Sequence, residues 1–440
     1  MLASCANLPG DTVKNMTATI SPRVRSLPNC EDDDPELLPV ELAYSRIRDA
    51  LAAPSTRESV ALEQAQGRVL AEPVISPFDV PPHRNSAMDG YAIAGDDIPA
   101  GTVAQMRVVG TAWAGHPYVG NPERGEAVRI MTGAAMPTGC DTVIMQEQVE
   151  RNDDEIKIDD RHKRGQNVRE AGEDLKAGAE VLPAGKRLGP AELGLLASLG
   201  LAEVICFAQL KVAVFSTGDE VRSIGEPLSP GTIYDSNRYT LRGMLSRLNI
   251  NLVDMGVLPD DKDVIQQALD EAGQNVDVIV TSGGVSAGAA DFVQPVLQVL
   301  GEVGFWKIAI RPGRPLAFGR IHNAAFFGLP GNPVAVMVTF YQFVRGALRT
   351  LAGETHIPPE PMLDVPTTAR LRKKPGRVEY YRAILERDNE GTLQVRPTGA
   401  TGSGLLHTMS DANCFIVLGH EAETVEAGSL VQVQPFFGLV

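Results

Sequence analysis

The chain has 440 residues, 43% of them hydrophobic, and a net charge of −15, which is the composition of an acidic globular protein. This length exceeds what one hydrophobic core supports, so several domains are expected. The negative charge argues against nonspecific nucleic-acid binding. No apolar run reaches the roughly 18–20 residues of a membrane-spanning helix. The five scattered cysteines lack Cys-x-x-Cys spacing, which argues against a disulfide framework or a zinc site and favours a reduced, cytoplasmic location.

Residues 1–35 are polar, show neither a helical nor a strand period, and end in Glu31-Asp-Asp-Asp34. We interpret them as a disordered extension. The chain begins Met1-Leu-Ala-Ser-Cys5, but the charged and apolar segments of an export signal do not precede this cysteine. We therefore predict no export signal.

The next 170 or so residues predict two domains, one inserted into the other. Apolar residues recur at helical spacing between Val40 and Leu51, and helical character returns at Pro190–Leu199. Short β-like runs fill the region between these segments. We therefore expect residues 36–74 and 169–208 to form one mixed α/β domain, and residues 75–168 to form a β-rich insertion.

Residues 209–356 alternate predicted strands with helices of 10–14 residues. Such alternation is typical of right-handed βαβ units and predicts a doubly wound, mostly parallel α/β domain. One of its strands is expected over Gly304–Ile310. Beyond residue 356, short alternating runs return and predict a small, β-barrel-like domain over residues 357–440.

Carboxylates follow several of these predicted strands. The strand that begins at Lys211 ends in Ser216-Thr217-Gly218-Asp219-Glu220, and Asp260 and Asp291 follow later strands. Ligand sites of open α/β sheets lie at the carboxyl ends of the strands, and carboxylate oxygens suit Mg²⁺. Helix capping explains Asp260 and Asp291 equally well, whereas the doubled carboxylate of Asp219 and Glu220 favours function.

Two further motifs suit an anionic ligand. The loop Ser282-Gly283-Gly284-Val285-Ser286 could present backbone N–H groups to a phosphate, although glycines are also needed for tight turns. Lys307 and Arg311 lie four apart on an extended run, hence on one face, and a Pro-Gly turn brings back Arg314. These cations fit an oxyanion, and the alternative is a solvated basic edge.

Several motifs resemble those of one family when they are taken in order. They are Ser-Ala-Met-Asp-Gly-Tyr (86–91), Met-Thr-Gly (131–133), Gly-Glu-Asp (172–174), Ser-Thr-Gly-Asp-Glu (216–220), Ser-Gly-Gly-Val-Ser (282–286) and Gly-Leu-Pro-Gly-Asn-Pro (328–333). On their physical patterns alone, the first two motifs and the last motif would be interpreted as turns. Together, the motifs resemble the molybdopterin molybdenumtransferases of the MoeA type, related to the gephyrin E-domain, from about residue 36 onward.

The resemblance implies a homodimer of four-domain subunits with a shared active site. Its α/β domain would be a molybdopterin-binding domain similar to MogA. The enzyme would insert molybdate into the dithiolene of adenylylated molybdopterin with Mg²⁺ and release AMP. Molybdopterin adenylyltransferase and molybdoenzyme maturation proteins would be its partners, with neither nucleic acid nor membrane among them.

The resemblance also implies roles for individual residues. Asp219, Glu220, Asp260 and Asp291 would serve the metal, and Asp219 and Glu220 would also be catalytic. Substrate would contact Ser216, Thr217, Gly218, Ser282, Gly283, Gly284, Ser286, Lys307, Arg311, Arg314, Pro330 and Ser403. Three further catalytic residues and one substrate-binding residue would reach the site from the partner subunit: Asp89, Thr132 and Asp174, and Arg169. Relatives often carry lysine where Arg311 and Arg314 stand, which changes the geometry of the donors.

Two alternatives remain. A molybdopterin adenylyltransferase would resemble residues 209–356 alone, so the additional domains argue against it. A noncatalytic scaffold of the gephyrin E-domain type would not need intact carboxylates and cations. A preference for molybdate or tungstate stays open, since the two oxyanions are alike in size and charge.

Overall fold

The computed structural model describes residues 23–24, 37–284, 293–399 and 402–436. These residues form two compact units. The larger unit contains the described parts of Met1–Glu58, Gly67–Val69 and Cys206–Val440, and the smaller unit contains Ser59–Gln66 and Leu70–Ile205. No helix among the described residues is both long and apolar enough to cross a membrane.

Strands dominate the first half of the described chain. They are β1 (Arg57–Ala61), β2 (Val74–Ile75), β3 (Asn85–Ser86), β4 (Gly90–Ile93), β5 (Ala104–Ala112), β6 (Glu126–Ile130), β7 (Thr142–Met145), β8 (Glu150–Asn152), β9 (Glu155–Ile158), β10 (Val168–Arg169), β11 (Glu180–Leu182) and β12 (Glu203–Phe207).

In the second half, helices alternate with strands at first. The strands are β13 (Lys211–Thr217), β14 (Val221–Arg222), β15 (Ile233–Tyr234), β16 (Asn251–Leu258), β17 (Val278–Ser282), β18 (Gly301–Lys307), β19 (Ile310–Arg311), β20 (Pro315–Ile321), β21 (Ala324–Leu329), β22 (Leu363–Pro366), β23 (Val378–Arg387), β24 (Leu393–Pro397), β25 (Cys414–Leu418) and β26 (Leu430–Pro435). The α-helices of the described residues are α1 (Val40–Ala50), α2 (Pro190–Ser198), α3 (Asn237–Ser246), α4 (Lys262–Asn275), α5 (Val293–Leu300), α6 (Pro333–Thr339), α7 (Arg345–Leu351) and α8 (His407–Asp411).

The smaller unit is built on a six-stranded sheet in the order β7-β4-β6-β5-β9-β8. Successive residues of a strand point to opposite faces, so Tyr91 and Ile93 pack in one apolar cluster and Ala92 packs in another. Both faces of β4 are therefore buried. The β-rich character that the sequence predicts for this region is confirmed.

The larger unit contains the predicted α/β sheet, in the order β16-β13-β17-β21-β20-β18. Its first four strands are parallel, and β20 runs antiparallel to both of its neighbours, β21 and β18. Val212 and Val214 pack into one core cluster, and Ala213 and Phe215 pack into the other. Helices α4 and α5 contribute to the second cluster, and α3, α6 and α7 contribute to the first. The mostly parallel, doubly wound prediction is confirmed.

The C-terminal strands of the larger unit form a second six-stranded sheet, β19-β23-β25-β26-β22, with β24 beside β23. Thr367, which follows β22, forms a bridge to Val395 of β24. This bridge brings the two sides of the sheet together around a core that includes Ala383, Ile416 and Val433. The arrangement agrees with the predicted barrel-like domain.

The N-terminal part of the chain differs from its prediction. Helix α1 buries Ala43, Ile47 and Ala50 in the core of the larger unit. Arg23 and Val24 are also buried, so for these two residues the disordered interpretation is wrong. Hydrophobic periodicity identifies the apolar face of a helix, but it does not identify the core on which that face packs.

The predicted strand Gly304–Ile310 is wrong in its bounds. Strand β18 ends at Lys307, and β19 begins at Ile310 and pairs with β23 of the barrel. The chain crosses from one sheet to the other between these strands. Lys307 and Arg311 therefore do not share one strand face, contrary to the prediction.

Candidate active site

A cleft of about 1060 Å³ opens in the larger unit at the carboxyl ends of β13, β17 and β21. Loops that follow these strands and loops of the barrel line it together. The residues that line it include Ser216, Thr217, Gly218, Glu220, Asp235, Asn237, Asp260, Ser282, Gly283, Gly284, Arg311, Arg314, Pro330, Arg377 and Ser403. Most of the substrate-binding residues predicted from the sequence thus lie in one cleft.

The acidic side of the cleft is the turn after β13. Gly218 has φ +139°, and a Cβ atom there would lie 2.7 Å from Oε2 of Glu220. Glycine is therefore required where the chain turns to place the two carboxylates. Asp219 and Glu220 are exposed.

Asp260 follows β16 and adds a third carboxylate. The backbone N–H of Asp219 donates to its Oδ2 at 3.2 Å, and the N–H of Asp260 donates to Oδ1 of Asp219 at 3.3 Å. Burial raises the pKa of the Asp260 carboxyl, and the charges of Asp219 and Glu220 raise it as well. The capping role belongs to Asp261, whose Oδ1 accepts hydrogen bonds from the N–H groups of Asp263 and Val264. Asp260 is therefore available to a ligand.

A preassembled cluster of three or more metal-ligating side chains is absent from the described residues, and Asp291 lies outside them. Mg²⁺ does not require such a cluster, because it is usually held by one or two carboxylates together with substrate phosphate and water. The pKa of the Asp260 carboxyl is raised first by burial and then by the charges of Asp219 and Glu220, and a bound cation would offset both effects. The carboxylates of Asp219, Glu220 and Asp260 therefore fit Mg²⁺.

The glycine-rich turn after β17 faces this acidic side. Gly283 and Gly284 have φ +92° and +68°, and a Cβ on Gly284 would lie 2.3 Å from Cγ2 of Val293. Asn237 joins this turn to the loop after β21, since its Nδ2 donates to Ser282 Oγ at 2.8 Å and to the Gly331 carbonyl at 2.7 Å. Ser286 lies outside the described residues.

Asp235 is a buried residue of the cleft lining that binds its neighbours. Its Oδ1 accepts a hydrogen bond from Ser216 Oγ at 3.1 Å, and its Oδ2 accepts one from Arg238 Nε at 3.0 Å. Arg238 Nη1 also donates to Asp254 at 2.7 Å. Asp235 and Asn237 were not predicted from the sequence, because Asp235 follows the two-residue strand β15, Asn237 begins α3, and neither belongs to one of the sequence motifs.

The cationic side contains Arg311 and Arg314, as predicted, together with Arg377 of the barrel. Lys307 is exposed and is not among the described residues that line the cleft. The buried Arg382 donates to the Gly402 carbonyl at 3.2 Å and to Thr408 Oγ1 at 3.0 Å, which holds the loop of Ser403. Burial and the neighbouring Arg311 lower the pKa of the Arg382 guanidinium.

The remaining predicted residues lie in the smaller unit. Oδ1 of Asp89 accepts hydrogen bonds from both N–H and Oγ1 of Thr132, each at 2.7 Å. Both bonds lower the pKa of the Asp89 carboxyl, and the bond from the Thr132 backbone N–H has the larger effect. The side chain is therefore a carboxylate at neutral pH. Arg169 and Asp174 are exposed. The structure thus pairs Asp89 with Thr132, which the turn patterns alone did not predict.

A mostly parallel sheet whose strand ends present glycine turns and carboxylates, close to Arg311, Arg314 and Arg377, is typical of an α/β enzyme that handles an anionic, phosphorylated substrate. Three protein-family models match the chain. The MoeA N-terminal region (domain I and II) matches residues 38–200, the probable molybdopterin binding domain matches residues 213–350, and the MoeA C-terminal region (domain IV) matches residues 364–436.

Similar proteins agree with these matches. A molybdopterin molybdenumtransferase of Haemophilus influenzae is 44% identical over 401 residues, which cover 91% of this chain and 99% of the relative. Gephyrin of Dictyostelium discoideum is 34% identical over 85% of this chain and 59% of its own length. A molybdopterin biosynthesis MoeA protein of Pyrococcus horikoshii is a structural neighbour with a TM-score of 0.78 and 29% identity, covering 91% of this chain and all of its own.

The chain belongs to the molybdopterin molybdenumtransferase family. It is a transferase of molybdenum cofactor biosynthesis, as the motifs indicated. The adenylyltransferase and scaffold alternatives are not favoured, because several relatives named molybdopterin molybdenumtransferase match most of the chain.

Proposed function

We propose that the cleft binds adenylylated molybdopterin and that the enzyme inserts molybdate into its dithiolene while AMP is released. One observation carries the proposal: the acidic turn, the glycine turns and the arginines converge on a single cleft of about 1060 Å³. A phosphate-linked pterin and an oxyanion are both negatively charged, so carboxylates alone would repel them. The same cleft is also lined by the cations Arg311, Arg314 and Arg377, which would attract these anions.

The glycine turns would receive the phosphates. Gly283 and Gly284 lack side chains where the backbone must approach a ligand closely, and backbone N–H groups bind phosphate oxygens well. Asn237 holds Ser282 and Gly331 in fixed relation. The turn and the loop after β21, which includes Pro330, would therefore present a preformed surface to substrate.

The carboxylates would position a cation at the phosphoanhydride bond. Asp219, Glu220 and Asp260 would hold Mg²⁺, which, when bound, neutralises charge that develops on phosphate oxygens. Glu220 lies in the wall of the cleft. It would orient the metal and substrate for cleavage to AMP.

Arg311, Arg314 and Ser403 would bind the oxyanion end of the substrates. Guanidinium groups recognise oxyanions with two parallel N–H donors. Arginine at positions 311 and 314 supplies a planar pair of N–H donors, which the single ammonium group of lysine would not.

We further propose a homodimer whose active site is shared. Asp89 and Thr132 form an ordered, hydrogen-bonded pair in the smaller unit, yet neither lines the cleft of the larger unit. They would reach the partner's cleft, together with Arg169 and Asp174. The proposed subunit has four domains, in keeping with family-model boundaries at residues 38–200, 213–350 and 364–436. A cytoplasmic location is proposed from the free, buried Cys140, Cys206 and Cys414.

The direct experiment is to incubate the purified protein with adenylylated molybdopterin, Mg²⁺ and molybdate and to follow AMP. We expect AMP release that depends on both protein and molybdate. AMP no higher than in a protein-free control would refute the proposed function.

A further inference from the structure

A buried serine of the smaller unit joins the loops that carry Asp89 and Thr132. Ser86 is 0% exposed and lies on β3, at the start of the motif that contains Asp89. Its hydroxyl donates to the Met88 carbonyl at 2.5 Å and accepts from the Met88 N–H at 3.3 Å. These two bonds close a tight turn, so they fix the course of the backbone directly before Asp89.

The backbone of the same serine binds the loop that carries Thr132. The Ser86 N–H donates to the Ala134 carbonyl at 3.0 Å, and the Gly133 N–H donates to the Ser86 carbonyl at 2.8 Å. Thr132 directly precedes Gly133. The side chain of Ser86 therefore holds the loop of Asp89, while its backbone holds the loop of Thr132.

Arg169 lies beside the same short strand. Strand β3 pairs antiparallel with β10, with Ser86 opposite Val168 and Asn85 opposite Arg169. Residues that face each other in such a pair have their Cβ atoms about 4.5–5.5 Å apart. Three segments that are distant along the chain thus meet at β3, and each carries a residue that we propose for the partner's cleft.

The pair of Asp89 and Thr132 depends on this junction. The two residues are 43 positions apart in sequence, and Thr132 donates to Asp89 Oδ1 through both N–H and Oγ1. Thr132 is exposed and Asp89 is half-buried, so packing around their own side chains contributes little. The distance between the two loops is instead set where both of them bind Ser86.

We propose that Ser86 is a positioning residue of the shared site, which keeps Asp89 and Thr132 within hydrogen-bonding distance of each other. This role rests on the proposed function, in which the pair acts in the partner's cleft. Ser86 itself is buried beneath the pair's loops and touches no substrate. It acts through the geometry of Asp89 and Thr132.

Ser76 provides a matched control, because it makes equivalent bonds elsewhere in the smaller unit. It is 1% exposed, and its hydroxyl donates to the Phe78 carbonyl at 2.6 Å. Its N–H donates to the Ala179 carbonyl at 2.9 Å, and its carbonyl accepts from the Gly178 N–H at 2.8 Å. Ser76→Ala therefore removes an equally buried hydroxyl whose contacts do not include the loops of Asp89 and Thr132.

The first measurement is the pKa of the Asp89 carboxyl in the full chain. NMR of protein labelled with ¹³C at the aspartate carboxyls gives this pKa, and the signal is assigned by its loss in Asp89→Ala. Bonds from Thr132 lower the pKa, so Ser86→Ala should raise it toward the ordinary value of aspartate, whereas Ser76→Ala should leave it as in the wild type. No rise in Ser86→Ala, or an equal rise in Ser76→Ala, would overturn the inference.

The second measurement tests whether Ser86 acts through the pair. Ser86→Ala should lower the rate of AMP release by about 10-fold or more, because a small misplacement of a positioned group has an effect of this size. In a Thr132→Ala background, where the pair is already broken, the same change should lower the rate much less. Equal losses in both backgrounds would show that Ser86 supports only the fold.

Failure of the proposed function has a different signature. The wild type and every variant would then release no AMP above the protein-free control. The pKa of Asp89 would still rise in Ser86→Ala and stay at its wild-type value in Ser76→Ala.

Discussion

Asp219 and Asp260 exchange hydrogen bonds across the end of the parallel sheet, each backbone N–H donating to the carboxylate of the other residue at 3.2 and 3.3 Å. The exchange ties the loop after β13 to the loop after β16. It also brings negative charges together, and these charges add to the effect of burial in raising the pKa of Asp260. A cation bound at the proposed site would neutralise this charge.

Asp260→Asn should stabilise the protein in the absence of Mg²⁺. The folded pKa of Asp260 is raised, so its contribution to stability is present below the unfolded value near 3.8 and is lost as pH rises through the folded pKa. At pH 7 the free energy of unfolding of the variant should exceed that of the wild type by up to about 1 kcal/mol. The difference is small because solvent screens the charge of a half-exposed group. Thermal unfolding from pH 4 to 8 checks this, and the gain should shrink toward acid pH.

In the presence of Mg²⁺, the wild type should become more stable than Asp260→Asn. If Asp260 contributes to the cation site, Mg²⁺ will raise the unfolding temperature of the wild type more than that of Asp260→Asn. Equal Mg²⁺-dependent shifts in both proteins would remove Asp260 from the metal site.

Glu220→Ala should lower the rate of AMP release by about 10²- to 10⁴-fold, the range for loss of a positioned charged group. The side chain is exposed in the cleft, so the variant should keep its fold and its oligomeric state. Glu271→Ala, on the exposed surface of α4, is the matched control. Turnover of Glu220→Ala equal to that of the control would exclude Glu220 from the mechanism.

Asp89→Ala should also lose activity, because the pair with Thr132 would be broken in the smaller unit. In a shared site, a mixed dimer of Asp89→Ala and Glu220→Ala chains contains one intact cleft. Coexpression of differently tagged chains, followed by tandem purification, should therefore recover up to about half of the wild-type turnover per dimer. Inactive mixed dimers would contradict a shared site.

Arg23→Ala should destabilise the larger unit by about 3–5 kcal/mol, the cost of leaving a buried charge without its partner. Arg23 Nη2 lies 2.6 Å from Asp277 Oδ1, and both side chains are nearly buried, at 10% and 11% exposure. Urea unfolding measures the loss. Arg48→Ala, which removes an exposed pair with Asp49, should cost less than about 1 kcal/mol, and a similar loss in both variants would refute the prediction.

Much of the fold could be predicted from the chain because its signals are local. Strand β13 begins at Lys211, as predicted, and the strand–helix alternation indicated the parallel sheet. The acidic turn at Asp219 and Glu220 could be predicted as well, since glycine and carboxylates directly follow an apolar strand. The predicted strand that contains Lys307 extended too far toward the C-terminus, because an apolar run does not show where the chain leaves one sheet for another.

By itself, the sequence determined the family, the α/β sheet and the acidic and glycine-rich strand ends, because these depend on residues close together along the chain. Only the tertiary structure decided which cations reach the cleft. It placed Arg377 beside Arg311 on the buried Glu379 and left Lys307 out of the wall. It also paired Arg23 with Asp277 across 254 positions. Such contacts arise from packing between distant segments, which no local pattern of residue types records.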